Sequence, residues 1–165
     1  MSIISRRAVP ICFLFPFLLA IGAVSFEGAQ QAAEKQSHAE HAMGFSQTTT
    51  THHFYLKKDG GIIQVEANSP EDLAAQDHIR MHLQHIAKSF AAGNFDDPME
   101  IHDEVPTGVP VMKKLKSQIS YQYESTPKGG RVTIRTADSE ALAAIHDFLR
   151  YQIREHHTGD PLTIS

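Results

Sequence analysis

Two Gly-Gly pairs, 69 residues apart, constrain the fold more than any other feature of this sequence. Gly60-Gly61 and Gly129-Gly130 each lie between two stretches in which apolar and polar residues alternate. Such alternation predicts β-strands with one buried face, and glycines between two strands predict a hairpin whose tight turn needs positive φ. A stripe of apolar residues at helical spacing follows each hairpin. The sequence therefore predicts the series strand, turn, strand, helix twice.

The two predicted units cover residues 52–90 and 119–157. The segment DHIR at 77–80 matches DFLR at 147–150, at an offset of 70. We interpret the match as an internal duplication. Two such units predict an α+β fold, with duplicated ββα units forming a four-stranded antiparallel sheet that carries two helices on one face. The pattern leaves the strand order open.

Between the units runs a linker, residues 91–118, which contains Pro98, Pro106 and Pro110. Prolines at this density predict no long regular element, although residues 109–116 suit one short helix. Each main helix needs a residue that caps its first turn. Ser69 and Asp138 are the predicted N-caps, because each precedes acidic residues and then the apolar stripe.

The start of the chain predicts export. Residues 1–25 combine a basic start, an apolar run over residues 8–24 and small residues before a cut after Ser25, as a signal peptide does. An uncleaved membrane anchor is the alternative, but the run is short for a span and contains a proline. Residues 26–51 are polar and predict a flexible arm, and residues 52–165 predict a single domain. We expect a periplasmic or secreted protein that is free of the membrane after cleavage.

Charge and cysteine content exclude several kinds of function. Without its signal the chain has 13 basic and 19 acidic residues, and it has no basic patch, so a nucleic-acid partner is not expected. The single cysteine, Cys12, lies in the predicted signal. Disulfides, cysteine-ligated zinc and cysteine nucleophiles are therefore excluded from the mature protein. All 11 histidines lie beyond the signal, a high share for so small a domain.

Histidines on the first predicted helix indicate a metal site. His78, His82 and His85 lie beside the apolar stripe at i, i+4 and i+7, and His82 is nearest the stripe. Imidazoles one turn apart on one helix face can converge on a single ion. His102 in the linker, or His156 at the end of the second helix, would complete the set. With no thiolate available, these donors suit copper or zinc.

Other interpretations of the histidines stay open. Half-buried histidines are often structural, so an interaction or structural protein is the first alternative, and its oligomeric state stays open too. His38, His41 and Met43 in the arm form an H-x-x-H-x-M cluster that suits loose binding of a soft metal or is accidental. Catalysis has no nucleophile motif, phosphate loop or H-E-x-x-H to support it, so no catalytic residue is assigned.

The order of several segments resembles a family of small exported bacterial proteins, many of which carry the label aspartate carbamoyltransferase. The segments are THHF, DGG, IRMHLQHIAKSFAAGNFDDP and IH, followed by ISYQY, GGRVTIRTAD, AIHDFL and EHHTGD. The resemblance covers residues 51–160. It places His82, Phe90, His102 and His146 in recurring segments, which raises their interest as site residues.

The transferase label has no support in the residues. Aspartate carbamoyltransferases use a Ser-Thr-Arg-Thr phosphate loop at a helix N-terminus, together with a His-Pro-x-Gln segment. The nearest match here, TIRT at residues 133–136, falls in a predicted strand, and His-Pro-x-Gln is missing. The chain is also too short for two α/β domains with a shared active site. We therefore expect the label not to describe this chain's activity.

Overall fold

The fold is built on one antiparallel sheet of four strands. The structure, a computed structural model, describes residues 43–102 and 104–165, without the side chains of residues 100–102. The sheet order is β1-β2-β4-β3, which places the second strand of each hairpin at the centre. The strands are β1 (Thr50–Lys57), β2 (Gly60–Ala67), β3 (Ile119–Thr126) and β4 (Gly129–Thr136).

Two long helices cover one face of this sheet. The first lies mainly over β3 and β4, and the last lies mainly over β1 and β2. Two short helices and a 3-10 turn occupy the predicted linker. The helices are α1 (Leu73–Ala92), α2 (Asp96–His102), α3 (Val109–Lys114) and α4 (Ser139–Glu155), with the 3-10 turn at Lys116–Gln118. The predicted α+β class and four-stranded antiparallel sheet are thus confirmed. Over residues 43–102 and 104–165, no helix has both the length and the apolar character needed to cross a bilayer.

The core lies between the sheet and the two long helices, because every second strand residue faces the helices. Phe54, Leu56, Val65 and Ile134 on that face are almost fully buried. The two long helices and the connection after α1 contribute three stacked or edge-on aromatic rings, and burial of each ring stabilises the fold by roughly 2–3 kcal/mol. These rings are Phe90, Phe95 and Phe148, whose centroids are 4.3–6.2 Å apart.

The glycine pairs do not form the hairpin turns, which corrects the sequence-based interpretation. The two-residue turns are Lys58-Asp59 and Pro127-Lys128, since Lys57 pairs with Gly60 and Thr126 pairs with Gly129. The glycines instead begin the two central strands. The alternation pattern is the same for both placements, so the sequence alone did not locate the turn.

Close approach of backbones explains why glycine is needed there. A Cβ on Gly60 would lie 1.9 Å from the carbonyl oxygen of Ile134, and a Cβ on Gly129 would lie 2.2 Å from that of Val65. Both distances are far below van der Waals contact. Gly60 also has φ +148°, whereas Gly129 has an ordinary negative φ. The glycines therefore let β2 and β4 pair along their whole length.

The helix starts and the beginning of the packed region differ partly from expectation. Asp138 caps α4, as predicted, by accepting a hydrogen bond from the backbone N–H of Ala141 at 2.8 Å. Helix α1 is capped by Asp72 and not by Ser69, whose hydroxyl accepts a bond within the preceding turn. Met43 and Phe45 are 6% exposed, so the packed region begins inside the predicted arm.

The C-terminal segment runs along the outer edge of β1. The Asp160 carboxylate accepts hydrogen bonds from the Phe54 backbone N–H and from the His53 ring, both at 2.9 Å. The backbone N–H of Ser165 donates to the Leu56 carbonyl at 3.1 Å. These contacts satisfy backbone groups of β1 that would otherwise be open to another strand. The segment therefore closes one edge of the sheet.

We expect Gly129→Ala to lower the free energy of unfolding by roughly 2–4 kcal/mol, because the new methyl group would collide with the rigid backbone of β2. Gly159→Ala is the matched control, since its Cβ would meet nothing within 4 Å and only its φ of +74° opposes the change. Gly159→Ala should lower the free energy of unfolding by about 1 kcal/mol. Urea denaturation measures both, and equal losses would contradict the steric explanation.

Candidate functional site

Three imidazoles and one thioether from four separate segments line a single cavity of about 60 Å³. His52 belongs to β1, His82 to the middle of α1, and His156 caps the C-terminus of α4. Met43 precedes the sheet and is buried. The sheet brings His52 to the cavity, and the two long helices bring His82 and His156. The cavity therefore lies between the two layers of the fold.

Local structure explains why each histidine faces the cavity. His52 shares the core face of β1 with Phe54, since strand side chains alternate. His82 flanks the buried stripe of α1 and is half-buried. His156 follows the buried Ile153 by one helical turn. Each imidazole is thus placed by the periodicity of its own element.

Aromatic contacts fix the orientation of the rings. The rings of His52 and His156 stack with centroids 5.1 Å apart and planes 18° from parallel. Phe45 lies 5.9 Å from His52 and meets the edge of His82 at 5.6 Å. Phe54 contacts His156 from below at 5.4 Å. The histidines are therefore packed as part of an aromatic cluster.

The stacked arrangement does not point three donor atoms at one position. Within residues 43–102 and 104–165, no three His, Asp or Glu side chains are placed to hold a metal ion together. Parallel rings direct their nitrogen lone pairs side by side, whereas a tetrahedral or trigonal ion needs them to converge. For these imidazoles to hold one ion together, at least one of them would have to rotate.

Burial keeps the cavity histidines neutral. It lowers the pKa of His52 from 6.5 to about 4, with smaller effects in the same direction from His82 and His53. Burial also lowers the pKa of His82 to about 4, while Asp97 acts to raise it and His85 to lower it. At pH 7 both imidazoles are uncharged, which is the form that has a free lone pair.

Two of the predicted metal ligands meet at this cavity, and two do not. His82 and His156 both line it. His78 is exposed on the solvent side of α1. His85 is also exposed, and its Nε2 pairs with the Asp97 carboxylate at 3.1 Å. The helix thus places His78 and His85 away from the cavity that His82 and His156 line.

The remaining predicted ligands fall outside the described part of the chain. His38 and His41 precede residue 43, and the side chain of His102 is not among those described. The predicted signal peptide, with Cys12, also lies outside it. Met43, the third member of the arm cluster, is described and lies at the cavity.

Sequence reasoning missed His52 as a site residue. The signal was present, because Phe54 and Leu56 define the core face of β1 and His52 is two residues before Phe54. A histidine on a predicted core face needs a partner or a function. Met43 gave no such signal, since nothing in a polar segment predicts that one thioether is buried against a distant strand.

Two other histidines have structural partners. The His146 Nε2 donates to the carbonyl oxygens of Lys57 and Gly60, at 2.9 and 3.1 Å, and so ties α4 to the first hairpin. His53 is bound to Asp160 as described above. His146 is 6% exposed, which leaves no access for a substrate. These contacts favour structural roles for both residues.

Comparison with models of protein families, with curated proteins and with solved structures found no match. The resemblance to small exported bacterial proteins therefore stays a prediction. The site has to be interpreted from its own geometry.

The stability of the protein should depend on pH through His52 and His82. Unfolded histidines take up a proton near pH 6.5, whereas the folded ones do so only near pH 4. The free energy of unfolding should therefore be highest above pH 6.5. It should decrease as the pH drops towards 4, by up to about 3 kcal/mol for each residue. Urea denaturation of the metal-free protein across this range measures the slope.

The matched variants are His82→Gln and His78→Gln, which change a half-buried and an exposed residue of the same helix. We expect His82→Gln to make the free energy of unfolding depend less steeply on pH. His78→Gln should leave this pH dependence unchanged. An unchanged slope in His82→Gln would show that this imidazole is not held neutral by burial.

Proposed function

We propose that this is a small exported metal-binding protein that holds one copper or zinc ion at the cavity between the sheet and the helices. The proposed ligands are drawn from His52, His82, His156 and Met43. The observation that carries the proposal is that these four side chains, from four separate segments, line one cavity. Export rests on the signal-like residues 1–25.

The size of the cavity favours an ion over an organic ligand. Pockets for small organic molecules measure about 300–1,000 Å³, whereas one water molecule needs only about 10–15 Å³ of space for its centre. A cavity of about 60 Å³ therefore has room for an ion with a few water molecules. An organic cofactor would fit only if the helices moved away from the sheet.

The chemistry of the donors points to a transition metal. Neutral imidazole suits zinc and copper, whereas calcium and magnesium require several oxygen ligands. Of the described side chains that line the cavity, none is a carboxylate. Binding would also replace the stacking of His52 on His156 with shared coordination, and this replacement is the main rearrangement that the proposal needs.

The alternative is an interaction protein whose histidines are structural. His146 and His53 favour it, because each has a clear structural partner. The outer face of the sheet also offers partly exposed side chains, among them Tyr55, Ile62 and Gln64, which no helix of the described region covers. Tyr121 and Tyr123 do not belong to that face, since they lie on the helix side. Under this alternative the purified protein would retain no metal.

We also infer that the two ββα units arose by duplication. Three features of the backbone pairing support the inference, because in each of them equivalent residues of the two units are 69 positions apart. Ile63 lies directly opposite Val132 in the central pair, so equivalent residues meet at a local two-fold axis. The two hairpins have the same register. The backbone N–H of Ala67 donates to the carbonyl oxygen of Lys128. In the same way, the backbone N–H of Thr136 donates to the carbonyl oxygen of Asp59.

The helices correspond at a different offset from the one that the sequence match gives. Their caps, Asp72 and Asp138, are 66 residues apart, and so are Leu83 and Leu149, which pack on equivalent glycines. The connection from sheet to helix is thus three residues shorter in the second unit. The matching segments DHIR and DFLR are 70 residues apart, whereas structurally equivalent helix residues are 66 apart. The sequence match is therefore displaced from the structural match by about one helical turn.

Metal analysis of the purified protein, followed by calorimetric titration with copper and zinc, tests the proposed function. We expect close to one bound equivalent in the wild type. His52→Ala and His82→Ala should each weaken binding by about ten-fold or more, because each removes a ligand. His78→Ala should leave binding unchanged, since that side chain faces solvent.

The double variant His38→Ala, His41→Ala separates the cavity from the arm. Binding that survives in this variant but is lost in His82→Ala supports the cavity. A wild-type protein that retains no metal and shows no saturable binding contradicts the proposed function and supports the interaction alternative.

A further inference from the structure

The cavity contains one donor that discriminates between the candidate metals. Met43 is 6% exposed and lines the cavity with the three imidazoles. A thioether is a soft donor that binds monovalent copper well, whereas zinc is bound by thiolate, imidazole and carboxylate ligands, and blue-copper sites hold methionine only as a weak axial ligand. From this donor, and resting on the proposed function, we infer that the resident ion is monovalent copper and that Met43 selects it.

The charge balance of the cavity favours the same ion. Its other described walls are apolar or neutral, and they include Phe54, Leu83 and Gln152. Neutral ligands leave the full charge of the ion in a poorly solvated space. Because the cost of placing an ion in such a medium rises with the square of its charge, a divalent ion is disfavoured by about four times as much as a monovalent one.

The carboxylate of Asp97 does not remove this preference for a monovalent ion. Asp97 acts on His82 through its charge, but it is not part of the lining, and its carboxylate pairs with the exposed His85. Zinc sites commonly use carboxylate or thiolate ligands as well as histidine. The described walls of this cavity supply neither.

Coordination number also fits the available side chains. Monovalent copper is satisfied by two or three ligands, so Met43 with two imidazoles is sufficient. His82 meets the ring of Phe45 edge-on and is not stacked, so it can turn without breaking the pair formed by His52 and His156. The second imidazole comes from that pair, and its rotation, which replaces the stacking with coordination, completes a trigonal set.

Competition titration under anaerobic, reducing conditions tests the inference, with bicinchoninate as the chelator of monovalent copper. The proteins are wild type, Met43→Leu and Met81→Leu. Leucine keeps the volume of methionine and removes only the sulfur. Met81 is the matched control, because it precedes His82 on the same helix but is 60% exposed. Zinc affinity is measured in parallel.

We expect Met43→Leu to weaken binding of monovalent copper by about ten-fold or more and to change zinc affinity by less than about two-fold. Met81→Leu should change neither. X-ray absorption of the copper-bound wild type should show a sulfur ligand, a result that does not depend on how any variant folds.

The outcomes separate this inference from the proposed function. Tight metal binding that needs His82, with no sulfur ligand and no effect of Met43→Leu, overturns the inference and leaves the metal site standing. Preference for zinc over monovalent copper in the wild type also overturns it. A wild-type protein that binds neither metal overturns both.

Discussion

The pairing of β2 with β4 is the contact on which the rest of the structure depends. It joins the two hairpins into one sheet, and it is possible because glycines begin both strands. A two-stranded hairpin is at best marginally stable in water, whereas four strands with a shared apolar face can support two helices. The helices then lie over different hairpins, and the cavity forms where their layer meets β1. The candidate site is thus a consequence of the central pairing.

The site also shows how a polar cluster can be held inside an apolar layer. His52 and His156 stack on one another, and Phe45 covers both His52 and His82. Imidazole has an aromatic face, so it packs against phenyl rings, and its nitrogens lie at the edge of the ring. Packing and binding therefore use different parts of the same ring. This division lets three half-buried histidines line the edge of the core in a domain of modest size.

Much of the fold could be predicted from the sequence, because the signals were periodic. Alternation located all four strands, and the apolar stripe of α1 correctly placed His82 nearer the core than His78 and His85. What periodicity could not give was anything that depends on register or on contacts between distant segments. The turns lie two residues before the glycines, since only the pairing partner decides which residues leave the ladder. Likewise, the burial of Met43 depends on a strand and a helix that its own neighbours do not reveal.

The site was predicted in part for the same reason. His82 and His156 each lie on a helical stripe that can be recognised within one segment. His52 lies on a strand whose core face had been identified, but a histidine at the start of a strand resembles the end of a polar loop. Whether rings from three elements stack or converge is a property of the packed layers. Local sequence does not encode it.

The strand order also bears on when the chain can fold. The first hairpin leaves the inner edge of β2 without a neighbour until β4, which ends at Thr136, has been synthesised. A ribosome-bound chain that exposes only the first unit therefore lacks half of its sheet and about half of its core residues. Such a topology postpones compaction until the central strands of both units have been synthesised. Under the proposed export, that delay would keep the chain unfolded for passage through a translocon.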